Sequence, residues 1–273
     1  MIISGSVLTV VINQMVSANF AIVAETDDYA VVDKPPFLLV HPTKPDGPRT
    51  LWDELRQLLA FELQTGGQIS IINRLDRETS GLVLVAKTAA AARRFGLLMQ
   101  ANRIAKEYQA VVWGWPEWEH IKVDRPLDRV GKHQPSRIWL KQGVVRQGAE
   151  AQTDLLVQTR FQGVGSQRFS VIRAIPRTGR THQIRVHLAE AGHPIVGDKI
   201  YGPNEELYLE FIETGWTPKL ESELLLPRHA LHSSRLCIEE VGDWQSPLPP
   251  DLAAFVGGES ANGQLKAVSA SRP

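Results

Sequence analysis

Asn73-Arg74-Leu75-Asp76-Arg77-Glu78-Thr79-Ser80-Gly81-Leu82-Val83-Leu84-Val85-Ala86-Lys87 runs a charged loop straight into an apolar strand. Leu82 to Val85 is uninterrupted by polar residues and is bounded by Gly81 and Lys87, the pattern of a buried strand. Such a strand fixes the loop in front of it, and a reactive side chain needs that rigid support. Asp76 sits on the loop between Arg74 and Arg77, just ahead of Thr79-Ser80-Gly81.

Outward from this stretch, the chain reads as alternating strands and helices. Ala21 to Pro35 predicts two short strands around Asp27-Asp28, a hairpin turn signal. Thr50 caps a helix with Leu51, Leu55, Leu58 and Leu59 at helical spacing, and Thr88 caps another over Ala89 to Gln100. Ala105 to Trp113, Ala151 to Val157 and Phe169 to Pro176 predict strands. Asp128-Arg129-Val130-Gly131-Lys132 predicts an exposed hairpin tip. Thr181 is expected to cap a short helix over Gln183 to Ala191, closed by Gly192. Its apolar stripe, Ile184, Leu188 and Ala191, leaves Arg185 off the stripe and turned towards a site. Trp113, Trp115 and Trp118 cluster beside Gly114 and Pro116, which reads first as a hydrophobic corner and second as a base-stacking group.

At 273 residues the chain holds one large domain or two small ones. A single cysteine, Cys237, excludes an internal disulfide and suits a reducing compartment such as the cytoplasm. No apolar run approaches a membrane span. Thirty basic residues balance thirty acidic ones, which argues against a general nucleic-acid binder, but their distribution is uneven. Between Asp154 and Glu190 there is no acid, only Arg160, Arg168, Arg173, Arg177, Arg180 and Arg185; acids gather later, from Glu205 to Glu223. A basic surface set apart from an acidic one is expected, as in a binder of a polyanion. Residues 1–19 carry no Lys or Arg and so do not read as a secretory signal. They are expected to be an N-terminal extension, either an extra edge strand or the product of a start upstream of a true initiator at Met15. Residues 257–273 are small and polar, as in a disordered tail.

The central stretch resembles the Asp-containing signature of the RluA-type pseudouridine synthases, His-Arg-Leu-Asp-x-x-Thr-Ser-Gly-Leu, with Asn73 in place of the usual His. A second block agrees, from Arg177-Thr178-Gly179-Arg180-Thr181-His182-Gln183-Ile184-Arg185 through Gly192-His193-Pro194-Ile195-Val196-Gly197-Asp198. Shorter matches are Val32-Asp33-Lys34-Pro35, Lys106-Glu107-Tyr108 and Leu231-His232. The resemblance implies an α+β protein of the pseudouridine synthase fold, with a mixed, largely antiparallel central sheet flanked by helices and loops. Residues 20–256 would form the catalytic domain. The small N-terminal RNA-binding domain of many relatives is expected to be missing, which favours a transfer RNA or a short hairpin over a large ribosomal target.

The resemblance also assigns roles. Uridine becomes its carbon-linked isomer when the bond from uracil to ribose breaks, the base rotates and carbon 5 joins the sugar. Asp76 is the carboxylate, attacking the sugar or the base or abstracting a sugar proton. Arg185 matches the arginine that pairs with it, and Tyr108 the tyrosine that packs on the base and helps remove the carbon 5 proton. Arg74 is expected to fill the space left by a flipped uridine. Arg77, Arg177, Arg180, His182 and Lys132 are expected to meet RNA. No metal or other cofactor is expected, since His182 and His187 share no face neatly. The expected partner is a structured RNA, ribosomal or transfer, met by a monomer away from any membrane. Two other readings stay open: a non-catalytic RNA-binding or refolding module, and a hydrolase of a nucleoside bond. Asp76 and Glu78 as a glycosidase acid pair would leave the rest of the motif unexplained.

Overall fold

The computed structural model describes residues 20–44 and 47–257. The expectations for residues 1–19 and for the tail from 258 on lie outside it, while Gly257, expected to open that tail, ends the last helix. The chain forms two compact units. One runs to Arg77 and resumes over Gly81–Ala101; the other takes Glu78–Ser80 and everything from Asn102.

In the first unit, β1 (Ala21–Glu25) and β2 (Tyr29–Lys34) form the hairpin that Asp27-Asp28 announces, antiparallel with a bulge between Ile22 and Ala24. Helix α1 (Leu51–Leu58) starts at Thr50 in a full capping box: Thr50 accepts from the Asp53 amide, and the Asp53 carboxylate accepts from the Thr50 amide. Helix α2 (Ala60–Gln64) and the two-residue β3 (Ser70–Ile71) follow. Next comes β4 (Ser80–Ala86), every residue of which is buried. Leu82 to Val85 each contribute about 1.5–3 kcal/mol by leaving water. β4 lies antiparallel to β2, with β3 paired to its C-terminal end. Helix α3 (Ala89–Gln100) begins at Thr88, whose hydroxyl accepts from the Ala91 amide.

In the second unit, β5 (Ile104–Trp113) is followed by β6 (His120–Asp124) and a long excursion, β7 (Leu127–Arg129) and β8 (Gln142–Val144). The expected tip at Asp128–Lys132 is only the start of this excursion. β9 (Gln152–Gln162) and β10 (Arg168–Pro176) come next, then α4 (Gln183–Glu190), α5 (Glu206–Thr214), α6 (Pro218–Leu224), β11 (Leu231–Ile238), β12 (Gly242–Gln245) and α7 (Pro250–Gly257). The strands run β11-β5-β10-β9-β6, antiparallel throughout, with β12 on β11.

Helix α4 corrects two expectations. Thr181 does not cap it; His182 stands at the N-cap in the left-handed region, φ 56°, with no side-chain cap. The helix is also not a one-stripe element, because Gln183 to Leu188 are all buried. Arg185 is therefore enclosed. Gly192, at φ +81°, closes the helix as expected.

Candidate active site

The loop carrying Asp76 is held from both sides. Asn73, buried, donates from Nδ2 to the Leu82 carbonyl at 3.1 Å and accepts at Oδ1 from the Leu84 amide at 2.8 Å. An amide side chain here does what a peptide group would do, continuing onto β4 the pairing that β3 begins and the Ile72 amide extends to the Leu84 carbonyl. Leu75 is buried and Arg74 and Arg77 on either side of Leu75-Asp76 are exposed. On the far side of Asp76, the fully buried Lys34 ammonium donates to the carbonyls of Pro35 (2.8 Å), Leu38 (3.0 Å) and Arg77 (3.3 Å). A buried cation satisfied in this way ties the end of β2 to the residue after Asp76. Arg77 also donates from Nε to the Phe37 carbonyl. The Arg74 guanidinium forms no ion pair within the described residues; its charge, after partial burial, lowers the pKa of His41.

The end of the same motif is anchored within the second unit. Glu78 accepts from Lys199 Nζ at 2.8 Å and from the His229 amide at 3.2 Å, with the His229 ring 3.4 Å away. Burial pushes the Glu78 carboxyl up, but the His229 and Lys199 contacts outweigh it and hold its pKa at about 2. An ionised, doubly engaged Glu78 cannot be a general acid, which removes the glycosidase pairing with Asp76. Thr79 Oγ1 lies 2.7 Å from His229 Nε2. Ser80 Oγ lies 3.0 Å from His232 Nδ1, whose Nε2 faces the Ser246 carbonyl at 3.2 Å. A carbonyl only accepts, so Nε2 carries the hydrogen and the Ser80 hydroxyl donates to Nδ1.

Tyr108 is buried on β5, opposite Ala174 of β10 and Ser233 of β11. Lys106, two residues earlier on the same face, has its ammonium pKa pushed down by burial. Arg185 donates from Nε and Nη2 to the two carboxylate oxygens of Asp198, at 2.7 and 2.9 Å. Asp198 is fully buried. Burial pushes its carboxyl up, but the Arg185 guanidinium and the Tyr201 amide hold it well below the usual range. Its Oδ1 also accepts from the Ile200 and Tyr201 amides. Gly197 makes this turn possible: at φ +76°, a Cβ there would stand 2.0 Å from the Arg228 carbonyl. Two rigid bonds thus fix the plane of Arg185. The Tyr201 ring lies 5.0 Å from its Cζ, and Tyr201 Oη reaches His182 Nδ1 at 2.7 Å, so the structure brings His182 and Arg185 together around one tyrosine. The sequence flagged Asp198 only as part of a matching block; nothing local marks it, or Lys34, as a partner.

The expected basic face is largely neutralised. Arg160 pairs with Glu119, Arg173 with Glu107 and Arg177 with Asp154. Arg168 stacks on Trp115, and Arg180 donates to the Glu150 carbonyl. Lys132 pairs with Asp128. Acids at the start of α5 are paired as well, Glu205 just before it with Lys141 and Glu206 with Arg137. The tryptophans form the hydrophobic corner: Trp113 packs on Phe169, Trp115 donates to the Phe161 carbonyl, and Trp118 meets His193 edge-on. His187 takes part in a structural network with Thr153 and the Arg125 carbonyl. Among the described residues no cluster of His, Cys, Asp or Glu is placed to hold a metal, and no helix is long and apolar enough to cross a membrane.

The family model described as RNA pseudouridylate synthase matches residues 28–190. A ribosomal large subunit pseudouridine synthase D from Nitrosomonas europaea is 34% identical over 258 residues, covering 92% of this chain and 68% of that protein. The protein of the same name from Haemophilus ducreyi is 33% identical, covering 86% of this chain and 69% of its own length. Of solved structures, human RNA pseudouridylate synthase domain containing 1 aligns with a TM-score of 0.64 at 25% identity, over 87% of this chain and 88% of that one. Human RNA pseudouridylate synthase domain containing 4 shares the fold, with a TM-score of 0.68 at 22% identity over 93% of this chain and 96% of that one.

Proposed function

The chain belongs to the RNA pseudouridylate synthase family, an isomerase family acting on RNA, and we propose that it converts chosen uridines of a structured RNA to pseudouridine with Asp76 as its catalytic carboxylate. The observation that carries this is the immobilised loop: Asn73 locks its start to β4, and Lys34 holds the carbonyl just after Asp76. Such rigidity keeps a carboxylate within a narrow range of positions, which is what covalent or proton-transfer work at one sugar carbon requires. No electron or phosphoryl group moves: one carbon–nitrogen bond breaks, one carbon–carbon bond forms, and the proton lost from carbon 5 is balanced by one gained at the freed ring nitrogen.

In this proposal residues 20–256 act as the catalytic domain, Tyr108 packs against the base and takes part in moving the carbon 5 proton, and Arg185 acts as a fixed cation. Its rigid pairing with Asp198 supports that last role, since a guanidinium already oriented needs no reorganisation during the reaction. Arg74 is taken to occupy the stacking position that the flipped uridine vacates; its exposure and its lack of an ion pair among the described residues support this. Arg77, Arg180 and His182 line the RNA path, with Arg177 and Lys132 joining it only by exchanging a carboxylate for a phosphate. The relatives' names put ribosomal RNA ahead of transfer RNA as substrate, and the reducing cytoplasm is the compartment where either is met.

The test is Asp76→Asn. RNA from cells lacking the protein, treated with pseudouridine-specific chemistry, identifies the lost site; wild-type protein restores it in vitro and Asp76→Asn does not, while binding the RNA within about twofold of wild type. Wild-type turnover by the variant would refute the assignment of Asp76, and release of free uracil would show a hydrolase.

A further inference from the structure

The β7–β8 excursion carries one arrangement that the catalytic reading does not use. Trp139 is 71% exposed, and the Arg129 guanidinium lies over its ring with Cζ 3.8 Å from the centroid. The pair is not loosely held. Ile138, next to Trp139, is buried in a cluster with Leu127, Ala151, Val186 and Tyr201. The Ser136 hydroxyl bonds the Ile138 carbonyl, and the Lys141 amide closes a turn back to it at 3.1 Å.

The charges around the pair distinguish it from a generic basic loop. Lys132 and His133 share Asp128, Arg137 is matched by Glu206, and Lys141 by Glu205. Arg129 is the cation of this excursion whose side chain meets no acid among the described residues, and its Nε is buried without a hydrogen-bond partner. An indole with one open face, backed by a flat unneutralised guanidinium, matches one ligand chemistry well: a nucleobase on the ring with a phosphate beside it. A peptide partner would favour an acidic group at Arg129 but would not need the broad open face of Trp139.

We propose that Trp139 and Arg129 form a nucleotide-stacking platform, taking one unpaired base and its phosphate from the RNA substrate away from the reacting uridine. This rests on the protein being an RNA pseudouridine synthase and adds to it a place where single-stranded RNA is gripped. Every base has a π face, so the platform tolerates sequence and can be tested without the natural substrate.

The probe is a stem-loop RNA with 2-aminopurine placed at successive loop positions. Wild-type protein should quench one position strongly and Trp139→Ala should abolish that quench. Affinity should fall between about fivefold and about a hundredfold in Trp139→Ala, the range for losing one base–aromatic stack, and remain near wild type in Trp139→Phe. Arg129→Gln should lower the salt slope of binding by about 0.7, as for one lost contact to a single-strand phosphate. Because Trp139 is exposed, its variants keep the wild-type melting curve. Equal affinity and equal quenching in Trp139→Ala would overturn the platform, even if wild-type protein makes pseudouridine on the same RNA. Wild-type protein that binds no RNA would overturn the platform and the RNA reading together; wild-type binding without pseudouridine formation on any RNA would sink only the catalytic reading.

Discussion

Asn73 is the one position in the central motif where this chain departs from the usual residue, and the structure explains why the departure is tolerated. Both ends of its amide are used on backbone groups of β4. A neutral imidazole also offers one donor and one acceptor, so His and Asn can serve the same tie, and neither needs to titrate. The sequence shows only that Asn stands where His is usual; the distances to Leu82 and Leu84 give the residue its role. Asn73→Ala leaves a buried carbonyl and a buried amide without these partners, each costing about 1–3 kcal/mol. Chemical denaturation should register a loss of about 2–6 kcal/mol, with turnover falling because the Asp76 loop loosens. Asn73→His should stay within about tenfold of wild-type turnover, about 1.4 kcal/mol of barrier. An Asn73→Ala protein as stable as wild type would show that the tie holds nothing.

At the scale of elements, start points were legible and environments were not. Thr50 and Thr88 announced α1 and α3 to the residue, because a capping hydroxyl acts over three residues of local chain. Helix α4 was located but misread as half-exposed, since its polar residues take partners from far away in sequence: Gln183 from Gln152 and Thr153, Arg185 from Asp198, His187 from Thr153 and Arg125. No periodicity reports that. His187 Nε2 faces the Arg125 carbonyl and so carries the hydrogen, leaving Nδ1 to accept from Thr153. The ring is thus seated as the neutral form. Burial pushes its pKa below 6.5, outweighing the Arg125 carbonyl and the nearby Glu190 and Asp124. The unfolded chain therefore binds this proton first as pH falls. The stability held by neutral His187 is complete above about pH 6.5 and declines below it, by up to about 1.4 kcal/mol per pH unit. His41, also lowered, adds to the same slope, so the informative quantity is a difference. Urea melts between pH 7.5 and 5.5 should show a shallower decline for His187→Gln than for wild type. Parallel declines would mean the ring is not neutral in the fold. Glu78 and Asp198 act elsewhere: their depressed carboxyls withdraw stability only below about pH 4.5, where the unfolded chain begins to take up protons.

Across the whole molecule, counting charge along the chain misjudged charge in space. The acid-free segment from Arg160 to Arg185 promised a basic face, yet four of its six arginines meet acids supplied by other parts of the chain. Antiparallel pairing is the cause. β10 lies between β5 and β9, so Arg173 meets Glu107 and Arg177, just past the strand end, meets Asp154. Glu107 is shared further with Arg235, and although burial pushes its carboxyl up, the two arginines hold it lowered. A phosphate reaching Arg173 would have to displace a bidentate carboxylate, whereas at Arg180 it would displace only a bond to a carbonyl. RNA affinity should therefore depend on salt less steeply than six free arginines would give. Arg180→Gln should weaken binding and lower the slope of log affinity against log salt by about 0.7–0.9, the share of one phosphate. Arg173→Gln should leave that slope unchanged and instead cost up to about 1 kcal/mol in a melt, as expected for a half-exposed ion pair. If Arg173→Gln flattened the slope and Arg180→Gln did not, the carboxylate pairs would be the sites that RNA exchanges into, and the acid-free window would have been the better guide after all.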